Sequence, residues 1–544
     1  MTDSSHNDDH ERTGIPGARV IGGSAGATAD SSYREEDDIK VLHKMGYSQE
    51  LSRRMGGFQN FAISFSIICI LAGGIGAYSV AFGAAGGGSI GIGWIVGSVF
   101  ALLVAAAMGQ IASAYPTAGG LYHWGSILGG RAWGWATAWI NLIGLLFVVS
   151  SVNYGVYLLL RDLVLVGVFG MNAESFTDTH LIIAVAVITL SQAILNYVGI
   201  KATTILTDFS GYLILAVSIV LIAGLVMASP VPLDFSRLVT FTNNTGDPGA
   251  GTWPATPSLF FAFVLGLLHV CYTITGFDAS AHTAEETRDA QRAVPRGMMT
   301  AVFWSALFGW LLVAAVLLAM PDMAEGAKKG GSVFAYALES SGMPHSLKNV
   351  LSIGIVLSNY LCALAGMTSL SRMLYAFARD GGIPGASKFL RRVNPKHRTP
   401  GAAIWVGAAF CFALGWISGA NAKAYIILAS GCAVFLYVSY IMPIGAGVLA
   451  EGKSWTKKGP FNLGVWSKPI GVLAVIGGGV LAFVGFQPPY ELVGKFLAGS
   501  MGVLIVVWFA FERKRFPGPP LTEADVAKRQ AEIAAEEAAL GGAG

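Results

Sequence analysis

The chain has 544 residues, of which 54% are hydrophobic and only 12% are charged, about half the charged share that is usual in soluble domains. Its net charge of +3 is too small to indicate a nucleic-acid partner, and its mean hydropathy of +0.59 indicates a membrane protein. The five cysteines lie singly in apolar runs without metal-site spacing, so we expect no disulfide framework, no metal and no cofactor.

Polar tails flank the apolar part of the chain. Residues 1–57 are rich in Ser, Asp and Glu and lack the pattern of a signal peptide, which predicts a mostly disordered tail. Residues 512–544 form a second tail, whose Ala- and Glu-rich part from Glu523 favours a short helix.

Between the tails, about twelve apolar stretches reach the roughly 20 residues that cross a bilayer as a helix. Their predicted cores are Phe58–Phe82, Ile92–Ala114, Ala132–Leu160, Leu181–Tyr197, Ala202–Ala228, Ser258–Ala281, Val294–Met320, Val350–Arg379, Ala402–Ile417, Ala424–Leu449, Pro469–Gly485 and Tyr490–Phe511. An even number of spans places both termini on one side, and the loops of that side carry most of the Lys and Arg. The positive-inside rule therefore predicts an all-α polytopic protein of the cell membrane with cytoplasmic N- and C-termini.

Two spans contain unusual interruptions. Span 1 holds Gly73–Gly76 at its middle, and span 6 holds the run Thr273–Asp278. Such runs either let helices pack closely or break the helix, and broken helices at membrane depth line binding cavities. The two spans correspond if residues 58–228 and 258–449 are inverted five-helix repeats, with two additional helices at 469–511. Free N–H and C=O groups at the breaks would suit a substrate that carries both a carboxylate and an amine.

The end of span 6 is rich in ionisable residues. Asp278 is a functional candidate, because an acid within a span costs roughly 2.5–3.5 kcal/mol on insertion scales; the alternative is an aspartate at the membrane boundary, near water. We expect Glu285 and Glu286 to pair with arginines such as Arg288, Arg292 or Arg296, and His282 to be a solvated or interfacial histidine on the cytoplasmic side.

Four motifs together resemble one family. They are "MGYSQELSRRMGGFQNFAISFSIICI" before and within span 1, "ASAYPTAGGLYHW" after span 2, "GFDASAHTAEETRDAQRAVPRG" in span 6 and beyond it, and "SRMLYAFARDGGIPG" closing span 8. From about Gly46 to Phe511 the chain resembles amino acid permeases of the amino acid–polyamine–organocation superfamily, in the amino acid/choline transporter branch that contains GABA and choline permeases.

The resemblance implies a fold of about twelve helices built as a five-plus-five inverted repeat, with helices 1 and 6 unwound around the substrate. It also implies that two groups of residues bind the substrate. Those expected at the carboxylate are Gly73, Gly74, Ile75 and Gly76, and those expected at the amine are Thr273, Ile274, Thr275 and Gly276. Phe277 would be an aromatic gate, and Asp278 matches a position used in gating or proton coupling.

One departure from the family pattern leaves the coupling ion open. Many proton-coupled relatives carry a lysine inside span 5, where this chain offers Asp208 instead. We therefore include Asp208 with Asp278 as a candidate for gating or proton coupling, and both H+ and Na+ stay possible coupling ions.

The resulting functional hypothesis is a secondary transporter that moves amino acids or related amines such as GABA through the lipid bilayer by alternating access, either ion-coupled or by exchange. The alternatives are a choline or polyamine permease, a receptor that binds without transporting, and a membrane enzyme. We expect no enzyme, since no catalytic constellation stands at useful spacing. The sequence leaves the oligomeric state open.

Overall fold

The computed structural model describes residues 35–418, 424–521 and 523–539. Within these ranges the regular structure consists of helices and two isolated β-bridges. The helices are α1 (Glu35–Lys44), α2 (Gly57–Ile68), α3 (Ile70–Gly76), α4 (Tyr78–Gly88), α5 (Trp94–Ala114), α6 (Leu121–Gly129), α7 (Arg131–Leu159), α8 (Asp178–Val198), α9 (Ile200–Met227), α10 (Leu259–Thr273), α11 (Ala279–His282), α12 (Ala290–Ala319), α13 (Met323–Lys328), α14 (Val333–Ser340), α15 (His345–Arg379), α16 (Ser387–Leu390), α17 (Gly401–Ser418), α18 (Ala424–Ala450), α19 (Ser467–Val484), α20 (Glu491–Val507), α21 (Arg513–Arg515) and α22 (Glu523–Ala539).

The described residues contain eleven helical segments long and apolar enough to cross a membrane, and α10 adds a shorter apolar helix of 15 residues. Together they give the twelve predicted spans. The first span comprises α2, α3 and most of α4, because the backbone leaves helical geometry at Ala85 (φ −130°) and Gly86 (φ 63°) before the second span begins. Span 6 is α10, and spans 3, 8 and 10 are α7, α15 and α18.

The spans divide into an inner and an outer group. In the most apolar window of Gly57–Gly76, 83% of the residues are buried inside the protein, whereas the figure for Glu491–Arg515 is 17%. Many of the side chains left outside on the last span are large and apolar, among them Val506 and Phe509. An apolar outer surface is stable only against lipid, so the peripheral spans form a shell around spans 1, 3, 6, 8 and 10.

The segment before span 1 is packed against the bundle. Leu51 and Met55 are fully buried, and the hydroxyl of Tyr47 donates a hydrogen bond to Asp380 Oδ2 at 2.7 Å. The prediction of a mostly disordered tail is therefore wrong for residues 35–57, while residues 1–34 lie outside the described residues. The tail helix predicted from Glu523 is present as α22, which contacts α1. We call the surface that carries α1 and α22 the tail face, and the other end of the bundle the opposite face.

Packing of the pre-span segment can be tested by truncating a core side chain. Leu51→Ala should destabilise the purified protein by about 2–5 kcal/mol, because it leaves a cavity under a fully buried site. Lys40→Ala on the exposed side of α1 is the matched control and should stay within about 0.5 kcal/mol of the parent. Thermal unfolding in detergent measures both, and equal melting temperatures for the two variants would contradict the observed packing.

Candidate functional site

The break in span 1 lies at a cysteine. Helix α2 ends at Ile68 and α3 begins at Ile70, and between them Cys69 has φ 22° and ψ 86°, a conformation that L-residues rarely adopt. Side chains of span 8 hold the peptide groups on both sides: Cys362 Sγ donates to the carbonyl of Ile67 at 3.1 Å, and Asn359 Nδ2 donates to that of Leu71 at 3.4 Å. The main interruption therefore lies at Cys69, four residues before Gly73. The predicted run Gly73–Gly76 is itself helical, but α3 ends with it and Ala77 (φ −104°, ψ 13°) separates α3 from α4.

The glycines of α3 serve close contacts instead. A Cβ on Gly73 would lie 2.6 Å from Thr273 Cα, so Gly73 is where span 1 touches span 6. A Cβ on Gly76 would collide with the hydroxyl of Tyr425. A Cβ on Gly74 would have its nearest neighbouring atom at 3.6 Å, which is an ordinary contact distance. Gly73 and Gly76 thus allow close packing between helices, as one of the two interpretations of this run predicts. Close packing does not require glycine at position 74.

Span 6 is unwound where the sequence predicts it. Helix α10 ends at Thr273, and α11 begins only at Ala279. Gly276 has φ 81°, and a Cβ there would overlap the side chain of Ile67, so this position requires glycine for two reasons.

Two tyrosines of span 10 satisfy the peptide groups of this break. The hydroxyl of Tyr437 donates to the carbonyl of Ile274 at 2.6 Å. The hydroxyl oxygen of Tyr440 accepts from the N–H of Gly276 at 3.0 Å. The unwound segment is thus held by side chains from another helix.

The two breaks face each other across a small cavity of about 10 Å³, which has room for about one water molecule. Gly73, Tyr272, Thr275, Cys362 and Cys432 contribute to its lining. The Thr275 hydroxyl is buried next to the Tyr440 hydroxyl, and it forms no hydrogen bond of normal geometry with the described residues. Because a buried hydroxyl normally has a partner, this atom is available to a ligand. A second cavity of similar volume lies on the other side of Tyr272.

A much larger cavity opens from the opposite face. It has a volume of about 630 Å³ and reaches inward to Gly76 and Tyr425. Tyr425 also lines the second small cavity, and its hydroxyl lies 3.5 Å from that of Tyr272. We call this larger cavity the vestibule. The two tyrosines separate it from the space between the breaks.

On the tail side of the break, Asp278 is fully buried among polar partners. Its Oδ1 accepts from the Tyr440 hydroxyl at 2.8 Å, and its Oδ2 lies 3.2 Å from Asn141 Nδ2 and 3.1 Å from His282 Nε2. His282 is also fully buried, with Nδ1 3.2 Å from the carbonyl oxygen of Ala118. Both residues therefore lie inside the protein: Asp278 is not at a water-exposed boundary, and the expectation of a solvated His282 is wrong.

Two ion pairs close the tail side beyond Asp278. Glu285 binds Arg379 through both carboxylate oxygens at 2.9 and 3.0 Å, and Glu286 binds Arg372 in the same bidentate way at 3.1 Å twice. All four side chains are buried. The expected pairing of these glutamates with arginines such as Arg288, Arg292 or Arg296 is therefore wrong, since the partners come from span 8.

The pre-span segment covers these pairs. The Arg379 guanidinium lies 4.0 Å from the centre of the Tyr47 ring. Burial, and to a lesser extent the charge of Arg379, lowers the pKa of the nearby His123 to about 3, so this histidine is neutral at physiological pH. Burial raises the pKa of Asp380, although Arg379 and the Tyr47 hydroxyl oppose that shift.

Three further predicted site residues do not line the small cavities. Asp208 on α9 accepts a hydrogen bond from Gln59 Nε2 at 3.0 Å, and none of the partners of Asp278 is among its contacts. Phe277 is fully buried with its ring centre 5.1 Å from that of Tyr440, and it lines neither small cavity. Ile75 is buried within α3. The structure thus joins Gly73, Thr275 and Asp278 in one region and leaves Asp208 apart.

Sequence reasoning missed the arginines of span 8. Arg372 and Arg379 are seven residues apart, which places them on one face of α15, in a helix that is otherwise apolar at that end. Two cations on one face of a membrane helix require acidic partners, and this spacing was the available signal. The described residues hold no group of three His, Cys, Asp or Glu side chains that could bind a metal, and the five cysteines are buried thiols.

Comparisons with known proteins give consistent matches along the chain. The profile of the amino acid permease family matches residues 55–511. Amino-acid permease BAT1 of Arabidopsis thaliana is 32% identical over 505 residues, which cover 88% of this chain and 95% of the relative. The BAT1 homolog of Oryza sativa subsp. japonica is 31% identical over 527 residues, with coverages of 93% and 98%. Amino-acid permease 2 of Neurospora crassa is 26% identical over 526 residues, 93% of each chain.

Alanine at three glycines distinguishes these local roles. Gly276→Ala should lower stability by at least about 1–2 kcal/mol from its positive φ alone, and Gly73→Ala should also destabilise because its Cβ meets the backbone of span 6. Gly74→Ala, the matched control in the same helix, should stay within about 0.5 kcal/mol of the parent. Thermal unfolding in detergent is the measurement. A Gly74→Ala variant as unstable as the other two would be inconsistent with the described contacts.

Proposed function

Since the chain belongs to the amino acid permease family, and is therefore a multi-pass membrane transporter of amino acids rather than an enzyme, we propose that it binds its substrate between the breaks of spans 1 and 6. The observation that carries this proposal is the buried Thr275 hydroxyl, which forms no hydrogen bond of normal geometry with the described residues and lies beside a cavity that both breaks line. A substrate atom in that cavity would satisfy the hydroxyl.

The proposed contacts are narrower than the sequence suggested. The carbonyl of Ile274 already accepts a hydrogen bond from Tyr437, and the N–H of Gly276 already donates one to Tyr440. We therefore assign substrate contact first to Thr275 and to the backbone around Gly73, which line the cavity. Gly74 and Ile75 are assigned no contact, because they line neither small cavity.

The chemistry of the lining favours a neutral amino acid or GABA. The described residues around the two small cavities carry no Asp, Glu, Lys or Arg side chain. A polyamine would leave several desolvated positive charges without anionic partners. Choline recognition uses several aromatic faces around the quaternary ammonium, whereas Tyr272 and Tyr425 are the aromatic residues of this lining.

Alternating access would use the two closures already described. Displacement of Tyr425 from Tyr272 would connect the vestibule to the substrate, and separation of the Glu285–Arg379 and Glu286–Arg372 pairs would open the tail face. We place the tail face in the cytoplasm of a cell membrane, because the loops on the side of the termini carry clusters such as Arg391, Arg392 and Lys396.

Transport is tested with purified full-length protein in proteoliposomes loaded with one unlabelled amino acid. Exchange for the same labelled amino acid outside should occur for at least one neutral amino acid or GABA. The same assay with choline and with a polyamine tests the two rival substrate classes. Binding without exchange for every compound would instead identify a receptor, and exchange restricted to choline would reverse the substrate assignment.

Site location is tested by cysteine protection. In a variant that retains Cys432 alone, substrate at about ten times its Kd should slow alkylation about tenfold, because only the empty fraction reacts. A variant that retains Cys411 alone is the matched control, since Cys411 is buried but lines neither small cavity. Its labelling rate should be independent of substrate. Equal protection of both thiols would indicate a global change rather than occupancy of this cavity.

A further inference from the structure

Asp278 and His282 are placed so that they hold one proton between them. Carbonyl oxygens only accept hydrogen bonds, so the contact of Nδ1 with the Ala118 carbonyl at 3.2 Å requires a proton on Nδ1. Nε2 then faces Asp278 Oδ2 at 3.1 Å. A hydrogen bond at that distance needs one further proton, which either makes the pair an imidazolium with a carboxylate or makes it a neutral imidazole with a carboxylic acid. The pair is electrically neutral in both forms.

Loss of that shared proton changes one of the two His282 contacts from attraction to repulsion. The neutral imidazole then has one N–H for two acceptors, so either Nε2 and Asp278 Oδ2 or Nδ1 and the Ala118 carbonyl oxygen oppose their lone pairs, and the buried pair carries one negative charge. Both side chains are fully buried, and an uncompensated charge in such surroundings is costly. The geometry in the structure therefore depends on the proton being present.

One side of the pair leads to the substrate cavity. Asp278 Oδ1 accepts from Tyr440, whose oxygen in turn accepts from the N–H of Gly276. Gly276 follows Thr275 directly in the unwound segment. A shift of Asp278 therefore moves the tyrosine that fixes the backbone next to the cavity.

The other side of the pair leads to the closure at the tail face. His282 contacts the carbonyl of Ala118, and the N–H of the same residue donates to Glu285 Oε1 at 3.0 Å. Glu285 is the partner of Arg379. One chain of hydrogen bonds thus connects the cavity, the Asp278–His282 pair and an ion pair that closes the tail face.

Other ionisable groups surround the pair from the elements packed against it. They are Tyr440 and Cys432 on α18, Arg372, Tyr375 and Arg379 on α15, Glu285 and Glu286 after α11, and Tyr47 and His123 beyond the Ala118 loop. Span 1 contributes the amide of Asn60 and the hydroxyl of Ser64, and the arginines of α12 at 292 and 296 are exposed. Each arginine of α15 is neutralised by its glutamate, so these pairs impose no net charge on Asp278 and His282.

We propose that Asp278 and His282 together form a proton-binding site, that the coupling ion is a proton, and that His282 is the second residue of this site. The inference rests on the proposed function. The shared proton is bound while the pair is accessible from the vestibule side. It leaves to water when the tail face opens, and its departure separates the pair and releases Tyr440 and Ala118 together.

The test uses the full-length protein in proteoliposomes that contain a pH-sensitive dye. With the parent protein, an imposed gradient of about one pH unit should drive up to about tenfold accumulation of substrate if one proton moves with each molecule, and the dye should report proton movement with the substrate. In His282→Gln the response to the gradient and the dye signal should disappear, and any exchange that remains should no longer depend on pH.

His123→Gln is the matched control, because His123 is buried on the same face but neutral at physiological pH; it should retain the response to the gradient. Should His282→Gln fail to fold, Asp278→Asn replaces it with the same expectation, and the dye measurement on the parent decides independently of any variant. Gradient-driven accumulation that persists in His282→Gln, or a parent driven by Na+ and indifferent to pH, would overturn the proposal. Absence of exchange by the parent for every compound would refute the proposed function instead.

Discussion

A peptide group without a hydrogen bond inside a bilayer costs several kcal/mol, and this constraint governs the centre of the protein. Two helices are broken there, and each break is satisfied by side chains of a neighbouring helix. Cys362 and Asn359 of span 8 serve the break in span 1, while Tyr437 and Tyr440 of span 10 serve the break in span 6. Spans 8 and 10 are thereby fixed in place beside the two breaks.

A peptide group that is hydrogen-bonded to a side chain differs from one that is hydrogen-bonded within its own helix, because a ligand can take the place of the side chain. The Thr275 hydroxyl already lacks a hydrogen bond of normal geometry in the closed cavity. The tail face uses stronger contacts. A buried ion pair repays its desolvation only with good geometry, and both Glu285–Arg379 and Glu286–Arg372 are bidentate. Such pairs define one closed arrangement of spans 6 and 8 rather than adding general stability.

The limits of sequence reasoning follow from the same contacts. The break in span 6 could be predicted because Gly276 and Asp278 interrupt an apolar run, whereas Cys69 lies in an apolar run and gives no local signal. The twelve spans followed from length and hydropathy alone. Glu285 and Arg379 are 94 positions apart in the chain, so their pairing depends on how spans 6 and 8 pack. The surroundings of His282 depend in the same way on the loop that carries Ala118.

The two closures of the central cavity differ in the number of buried polar contacts that each contains. Toward the opposite face, the barrier is the pair of rings of Tyr272 and Tyr425, whose hydroxyls are 3.5 Å apart. Toward the tail face lie the Asp278 cluster, then two bidentate ion pairs, then the pre-span segment with Tyr47 over Arg379. Opening on the vestibule side therefore breaks few contacts. Opening on the tail side requires several buried polar groups to exchange partners together, which suits a step driven by a bound substrate or ion.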